Sequence, residues 1–125
     1  MPGTKQLEFR YGDYLYRDIY YGMSFVAGRE VVYENDEPHW FMVYPGGIKI
    51  HVKEEARTVY AFRRYALRIV SASHPYRGPE EFRDHDFVYR NTHKGGIDRF
   101  QGTEKIWRAD DELYSLNYSG GVVRT

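Results

Sequence analysis

An internal repeat constrains the fold of this chain more than any other feature of its sequence. The segment EFRYGDYLYRD at 8–18 returns as EFRDHDFVYRN at 81–91, and seven positions here and just beyond are identical at an offset of 73 residues. One inserted residue changes the offset to 74, and six more positions are then identical, up to a Gly-Gly pair near the end of each copy. Chance would give roughly one identity in seventeen positions. We therefore predict a duplication in which residues 8–48 correspond to residues 81–122.

Each copy has the residue pattern of antiparallel strands. Two copies are too few for a solenoid, so we expect a single core with a pseudo-twofold axis. Runs of β-branched and aromatic residues alternate with glycines and with an Asn-Asp-Glu turn. The predicted strands are Tyr14–Tyr20, Gly28–Glu34, Pro38–Tyr44, Asp86–Asn91, Gly102–Arg108 and Leu113–Tyr118. The prediction is an α+β fold, mostly antiparallel β, with two β-meanders related by that axis.

One register is predicted for the hairpins of both copies. A three-residue turn at 35–37 sets it in the first copy, and the equivalent residues set it in the second. The predicted pairs are Val32 with Trp40, Glu30 with Met42, Gly28 with Tyr44, Ile106 with Tyr114, Glu104 with Leu116 and Gly102 with Tyr118. Side chains alternate between the faces of a strand, and the opposite face of the second copy is polar. The face that carries Trp40, Met42 and Tyr44 is therefore predicted to be the inner one.

The segment between the copies has helical periodicity. Apolar residues recur three and four positions apart within 53–73, and arginines occupy the rest of the wheel. We predict one amphipathic helix over about 53–73 that packs on the sheet and buries Phe62 and Ile69. The segment RGPEEFRDHD at 77–86 is predicted to be a loop-like linker, and the Gly-Gly pairs are predicted to turn the chain through positive φ or a bulge.

Composition narrows the functional classes. A chain of 125 residues is expected to form a single domain, 1–125, and equal numbers of basic and acidic residues disfavour direct binding of nucleic acid. The chain has no Cys, no apolar N-terminal region and no run of membrane-spanning length, so we expect a cytoplasmic protein that does not bind a membrane. The aromatic share of 18%, with 13 Tyr, favours an inner face whose polar atoms need partners.

Several motifs resemble those of an uncharacterised prokaryotic domain family of unknown function. They are YRDIYYG at 16–22, FVAGREVVY at 25–33, PHWFMVYPGG at 38–47, PYRGPEEFRD at 75–84, FVYRN at 87–91 and YSGG at 118–121. The resemblance covers nearly the whole chain. Members of that family occur alone or C-terminal to a helix-turn-helix domain, which implies effector sensing and transcription regulation for some of them.

Two glutamates are the sharpest candidates for a functional site. Glu30 and Glu104 occupy equivalent positions in the copies, and the predicted register turns both toward the aromatic inner face. A carboxylate there needs an Arg or Tyr partner, and Arg17 and Arg90 are the candidates that could hold it bidentately. The candidate acid or base is Glu30 or Glu104. The predicted ligand-binding residues are Arg17, Arg90, Tyr16, Tyr89, Trp40, Tyr44 and Tyr118.

Three functional classes stay open at this stage. The preferred one is a binding or sensor-type domain for a small molecule of unknown identity. A small enzyme of isomerase or lyase type, working without a cofactor, is the first alternative, and a structural or protein-interaction module is the second. The presence of the glutamate in both copies favours a structural role, a hydrogen-bond network around each one. Structural motifs persist in both copies after a duplication, whereas active sites usually become asymmetric. The five histidines lack ligand spacing, so no metal site is predicted, and a homodimer is left open.

Overall fold

The computed structural model describes residues 4–49, 56–67 and 78–124. These residues form eight strands and one helix. The strands are β1 (Thr4–Tyr11), β2 (Tyr14–Gly22), β3 (Phe25–Glu34), β4 (Glu37–Ile48), β5 (Glu81–Asp84), β6 (Phe87–Gly96), β7 (Arg99–Arg108) and β8 (Asp111–Val122), and the helix is α1 (Ala56–Leu67). The predicted class, mostly antiparallel β with a helix, is confirmed.

All eight strands belong to one antiparallel sheet. Their order is β1-β2-β3-β4-β8-β7-β6-β5, so each group of four consecutive strands is a meander. We call β1–β4 the N-terminal meander and β5–β8 the C-terminal meander. The two meet where β4 pairs with β8, and β1 and β5 form the two edges of the sheet.

The inner hairpins have the predicted register, but the turn that sets it differs from the prediction. Glu30 pairs with Met42 in β3–β4, and Glu104 pairs with Leu116 in β7–β8. The first turn contains two residues rather than three: Asn35 and Asp36 have φ angles of 51° and 66°, which suits a type I′ hairpin. One extra residue in β4, His39, lies between the partners of Tyr33 and Val32, and this bulge compensates for the missing turn residue and preserves the pairing.

Two predictions about chain breaks are wrong. The Gly-Gly pairs do not turn the chain, since Gly46 and Gly47 continue β4 and Gly120 continues β8. Their glycines allow close approach of neighbouring strands: a Cβ at Gly46 would lie 2.3 Å from the Cα of Leu116. The segment at 77–86 is not all linker either, because it contains strand β5. In that strand the one apolar residue, the partly buried Phe82, lies between charged residues, so the strand pattern is hard to recognise in the sequence.

The described helix lies within the predicted segment and packs on the inner face of the sheet. Val59, Phe62 and Ala66 are buried in its apolar stripe. The Phe62 ring packs against the rings of Phe82 and Phe87 at centroid distances of 5.4 and 5.3 Å, so the helix covers the C-terminal meander. The rest of the predicted helix, with Ile69, lies outside the described residues. In the described part of the chain, no helix has the length and apolarity needed to cross a membrane.

Candidate functional site

A buried polar network occupies the inner face of the C-terminal meander. Glu104 has 0% exposure, as its register on β7 predicts. Its carboxylate accepts hydrogen bonds from the hydroxyls of Tyr89 and Tyr114, the second at 2.9 Å. Charge-assisted hydrogen bonds of this kind are what make a carboxylate tolerable in a core.

The segment that precedes β5 closes this network. Asn91, also fully buried, accepts a hydrogen bond from the Tyr118 hydroxyl and donates one to the carbonyl of Gly78 at 3.0 Å. The amide of Gly78 donates to the Tyr89 hydroxyl at 3.2 Å, and the amide of Asn91 donates to the carbonyl of Glu80 at 2.9 Å. Residues 78–80 therefore seal the polar groups away from solvent.

The N-terminal meander carries a similar network at the equivalent positions. The Tyr16 hydroxyl donates to Glu30 at 2.8 Å, and the Tyr44 hydroxyl donates to Asp18 at 2.7 Å. Burial, followed by the charge of Glu30 and its hydrogen bond, raises the pKa of Tyr16 and keeps it a donor. Asp18 occupies the position of Asn91, so this network holds a carboxylate where the other holds an amide.

This second network borders open space. A cleft of about 680 Å³ lies between the inner face of the N-terminal meander and helix α1. Asp18, Glu30 and Tyr44 form part of its floor, and Glu30 is only half-buried. The helix lines the other side with Arg57, Tyr60, Arg63, Arg64 and Leu67.

Arg63 contacts two tyrosine rings beside the cleft. Its guanidinium carbon lies 4.9 Å from the ring centroid of Tyr60 and 5.8 Å from that of Tyr114. Its Nη1 donates a long hydrogen bond of 3.4 Å to the Tyr114 hydroxyl, whereas its buried Nε has no acceptor in the described structure. Tyr60 in turn donates to the carbonyl of Met23 at 2.8 Å, which ties the helix to the β2–β3 turn.

The sequence of this region identifies the family. The model of the domain of unknown function DUF5680 matches residues 18–123, from the floor of the cleft to the last strand. The chain belongs to the DUF5680 family. No curated protein and no solved structure matches it.

In this DUF5680 domain, the predicted pairing of Arg17 and Arg90 with the inner glutamates is wrong. The Nε atoms of Arg17 and Arg90 lie 2.7 Å from Glu8 and 3.0 Å from Glu81, on the outer face of the sheet. The physical reason is strand alternation: the neighbours of Arg17 in sequence point inward, so Arg17 points outward. Hydrogen bonds from Arg83 and then Arg90 lower the pKa of Glu81.

The other predicted ligand-binding residues are divided between the two networks. Tyr16 and Tyr44 belong to the network under the cleft, and Tyr44 lines it. Tyr89 and Tyr118 belong to the sealed network. Trp40 is at neither place, because its ring stacks on Phe100 at 5.6 Å and its Nε1 donates to the carbonyl of Ile97 at 3.1 Å.

Sequence reasoning missed several cleft residues of the DUF5680 domain. They are Asp18, Tyr20, Arg57, Tyr60, Arg63 and Arg64. Asp18 was detectable, because the aligned copies differ there by one charge, Asp against Asn. The helix residues were not, since the periodicity of α1 shows which face is apolar but not which meander its arginines approach.

Proposed function

We propose that this domain binds a small organic molecule in the cleft between α1 and the N-terminal meander, as a binding or sensor-type module. One observation carries the proposal. Two similar tyrosine–acid networks lie on one inner face; the network of Glu104 is fully buried, whereas the network of Glu30 borders a cleft. Packing accounts for the first network, whereas packing among the described residues does not account for the cleft beside the second.

The size and lining of the cleft support a small ligand. Its volume of about 680 Å³ lies within the range of about 300–1,000 Å³ typical of small-molecule sites. Tyrosine rings and aliphatic side chains supply its apolar wall, and Asp18 and Glu30 supply acceptors on its floor. In this proposal Glu104 has a structural role, because its carboxylate is fully buried.

The charges in the cleft favour a ligand with a carboxylate. Among the described residues that line it, four are basic (Lys5, Arg57, Arg63 and Arg64) and two are acidic. Arg63 has no carboxylate partner in the described part of the chain, and its guanidinium, whose hydrogen bond to Tyr114 is long, would donate to a ligand carboxylate in the cleft. A doubly charged phosphate would meet stronger repulsion from the acidic floor, so we favour the singly charged carboxylate.

We also infer that the two meanders arose by duplication and are related by a pseudo-twofold axis. The equal registers of the two inner hairpins support this inference. So does the central strand pair, in which Met42 pairs with Gly120 while its equivalent, Leu116, pairs with Gly46. After duplication, one network kept a structural role and the other became available to a ligand.

Three one-ring probes of similar size, one anionic, one neutral and one cationic, test the binding proposal: benzoate, benzyl alcohol and benzylamine. Titration of the full chain is followed by amide chemical shifts in a ¹H–¹⁵N correlation spectrum. We expect benzoate to shift the signals of cleft residues at millimolar concentrations, with the other two probes weaker. Arg63→Gln should weaken benzoate binding about tenfold, which corresponds to about 1.4 kcal/mol. Arg29→Gln, on the outer face, is the matched control and should leave the affinity unchanged.

Each outcome is informative. If benzylamine or benzyl alcohol binds the cleft as well as benzoate does, the carboxylate assignment is wrong and the cleft remains a binding site. If benzoate binds elsewhere, or binds the Arg63→Gln variant equally well, Arg63 is not the anchor. If none of the probes shifts cleft signals, and native mass spectrometry of the freshly purified protein shows no bound small molecule, the binding proposal fails.

A further inference from the structure

Strand β1 is an unprotected edge of the sheet. It is eight residues long, and its inner face carries Leu7, Phe9 and Tyr11, which are 60%, 65% and 76% exposed. Protein sheets usually protect such edges by shortening or charging them, because an open edge pairs with other strands. The opposite edge, β5, is better protected: it has only four residues, three of them charged, against three charged residues among the eight of β1.

The equivalent apolar position at the other edge is covered. Phe82 on β5 corresponds to Phe9 in the sequence repeat, and its ring packs against Phe62 of α1 at 5.4 Å. Phe9 remains 65% exposed, so the helix does not reach it. An aromatic and aliphatic row on an open strand edge is a place where another strand can add to the sheet.

The charge pattern of β1 is complementary to itself when two such strands pair antiparallel. We propose that β1 pairs antiparallel with β1 of a second copy of this chain, with Phe9 opposite Phe9. That register places Glu8 of each copy opposite Arg10 of the other and Leu7 opposite Tyr11, so two opposite-charge pairs form outside and an apolar cluster forms inside.

Other registers are less favourable. A shift by two residues places Glu8 opposite Glu8 or Arg10 opposite Arg10, and a shift by one places polar side chains on the apolar face. The backbone also suits the proposed pairing. Tyr11 and Tyr14 close a two-residue turn, so Tyr11 bonds to β2 while the amides and carbonyls of Glu8 and Arg10 point to the free edge. The dimer proposal does not rest on the proposed ligand, although Leu7 also lines the cleft.

Charge reversal with a rescue tests the register. Arg10 has no ion pair in the described part of the chain, so Arg10→Glu should leave the monomer folded and place two like-charge pairs in the interface. Sedimentation of the full chain over a range of concentrations should show a dimer for the natural sequence. The dissociation constant of the dimer should be at least tenfold higher for Arg10→Glu and for Glu8→Arg. A mixture of these two variants should associate again as a heterodimer, because every facing pair is then complementary.

The controls separate folding from pairing. Arg83→Glu on β5 should not change the association, and circular dichroism should show a folded chain for each variant. Glu8 also binds Arg17 at 2.7 Å, and Glu8→Arg removes that ion pair. If this variant does not fold, the comparison of the natural chain with Arg10→Glu still tests the proposed register. A natural chain that is monomeric at all concentrations overturns the proposal. So does a dimer that Arg10→Glu does not weaken, or a mixture of folded variants that stays monomeric.

Discussion

Replacing each inner glutamate by glutamine measures the difference between the two polar networks. In Glu104→Gln, a neutral amide replaces a carboxylate that accepts from Tyr89 and Tyr114. A hydrogen bond to a charged group contributes about 1.5–3 kcal/mol, against about 0.5–1.5 kcal/mol for a neutral one, so two bonds lose roughly 2 kcal/mol. One tyrosine must also turn its hydroxyl to accept from the new NH₂ group, which adds to the loss. We therefore expect Glu104→Gln to lower the free energy of unfolding by about 2–3 kcal/mol.

The corresponding change at Glu30 should cost less. Glu30 is half-buried beside the cleft, and its carboxylate accepts a hydrogen bond from the Tyr16 hydroxyl at 2.8 Å. Water in the cleft can solvate the substituted side chain, so we expect the free energy of unfolding to fall by less than about 1 kcal/mol. It should rise instead if the Glu30 charge destabilises the free protein and is kept for ligand binding.

Urea unfolding at neutral pH distinguishes these values. With an m-value of about 1–3 kcal/mol per molar urea, the midpoint of Glu104→Gln should fall by about 1 M and that of Glu30→Gln by much less. Glu37→Gln, at the exposed start of β4, is the control. Equal losses at Glu30 and Glu104 would refute the reasoning, because both networks would then be structural and the cleft would have no special status.

Two further predictions concern the helix and the acid stability of the domain. Phe62→Ala should lower the free energy of unfolding by about 3–5 kcal/mol, since its buried ring packs on two phenylalanines; thermal or urea unfolding tests this, and a loss under about 1 kcal/mol would contradict the assigned helix face. Hydrogen bonds from Lys105 at 2.8 Å and then Lys49 at 2.9 Å lower the pKa of Glu112, so its stabilising effect is present above its ordinary pKa of 4.5 and is lost as the pH falls through the lowered value. Calorimetry between about pH 7 and pH 3 should therefore show a shallower acid loss for Glu112→Gln than for the natural chain, and parallel curves would contradict this.

Local sequence determined much of this structure, because strand side chains alternate with a period of two and turns have their own residue signatures. The inward direction of Glu30 and Glu104 follows from alternation and hairpin register, and the helix follows from its period. The same alternation excludes Arg17 and Arg90 as their partners, so that error came from considering charge before geometry. The edge strands β1 and β5 were missed because charged residues alternate with their few apolar ones.

Tertiary structure alone decided which of the two networks is open. The copies carry nearly the same tyrosines and the same glutamate, so their sequences do not distinguish a sealed site from an accessible one. Phe62 packs against Phe82 and Phe87, and this contact fixes the helix over the C-terminal meander while residues 78–80 close the remaining gap. Such contacts join residues that are far apart in the chain, and their energies depend on the shape of the whole sheet. Local pattern carries no information about that shape, so the sequence by itself does not place a cleft between the docked helix and the N-terminal network.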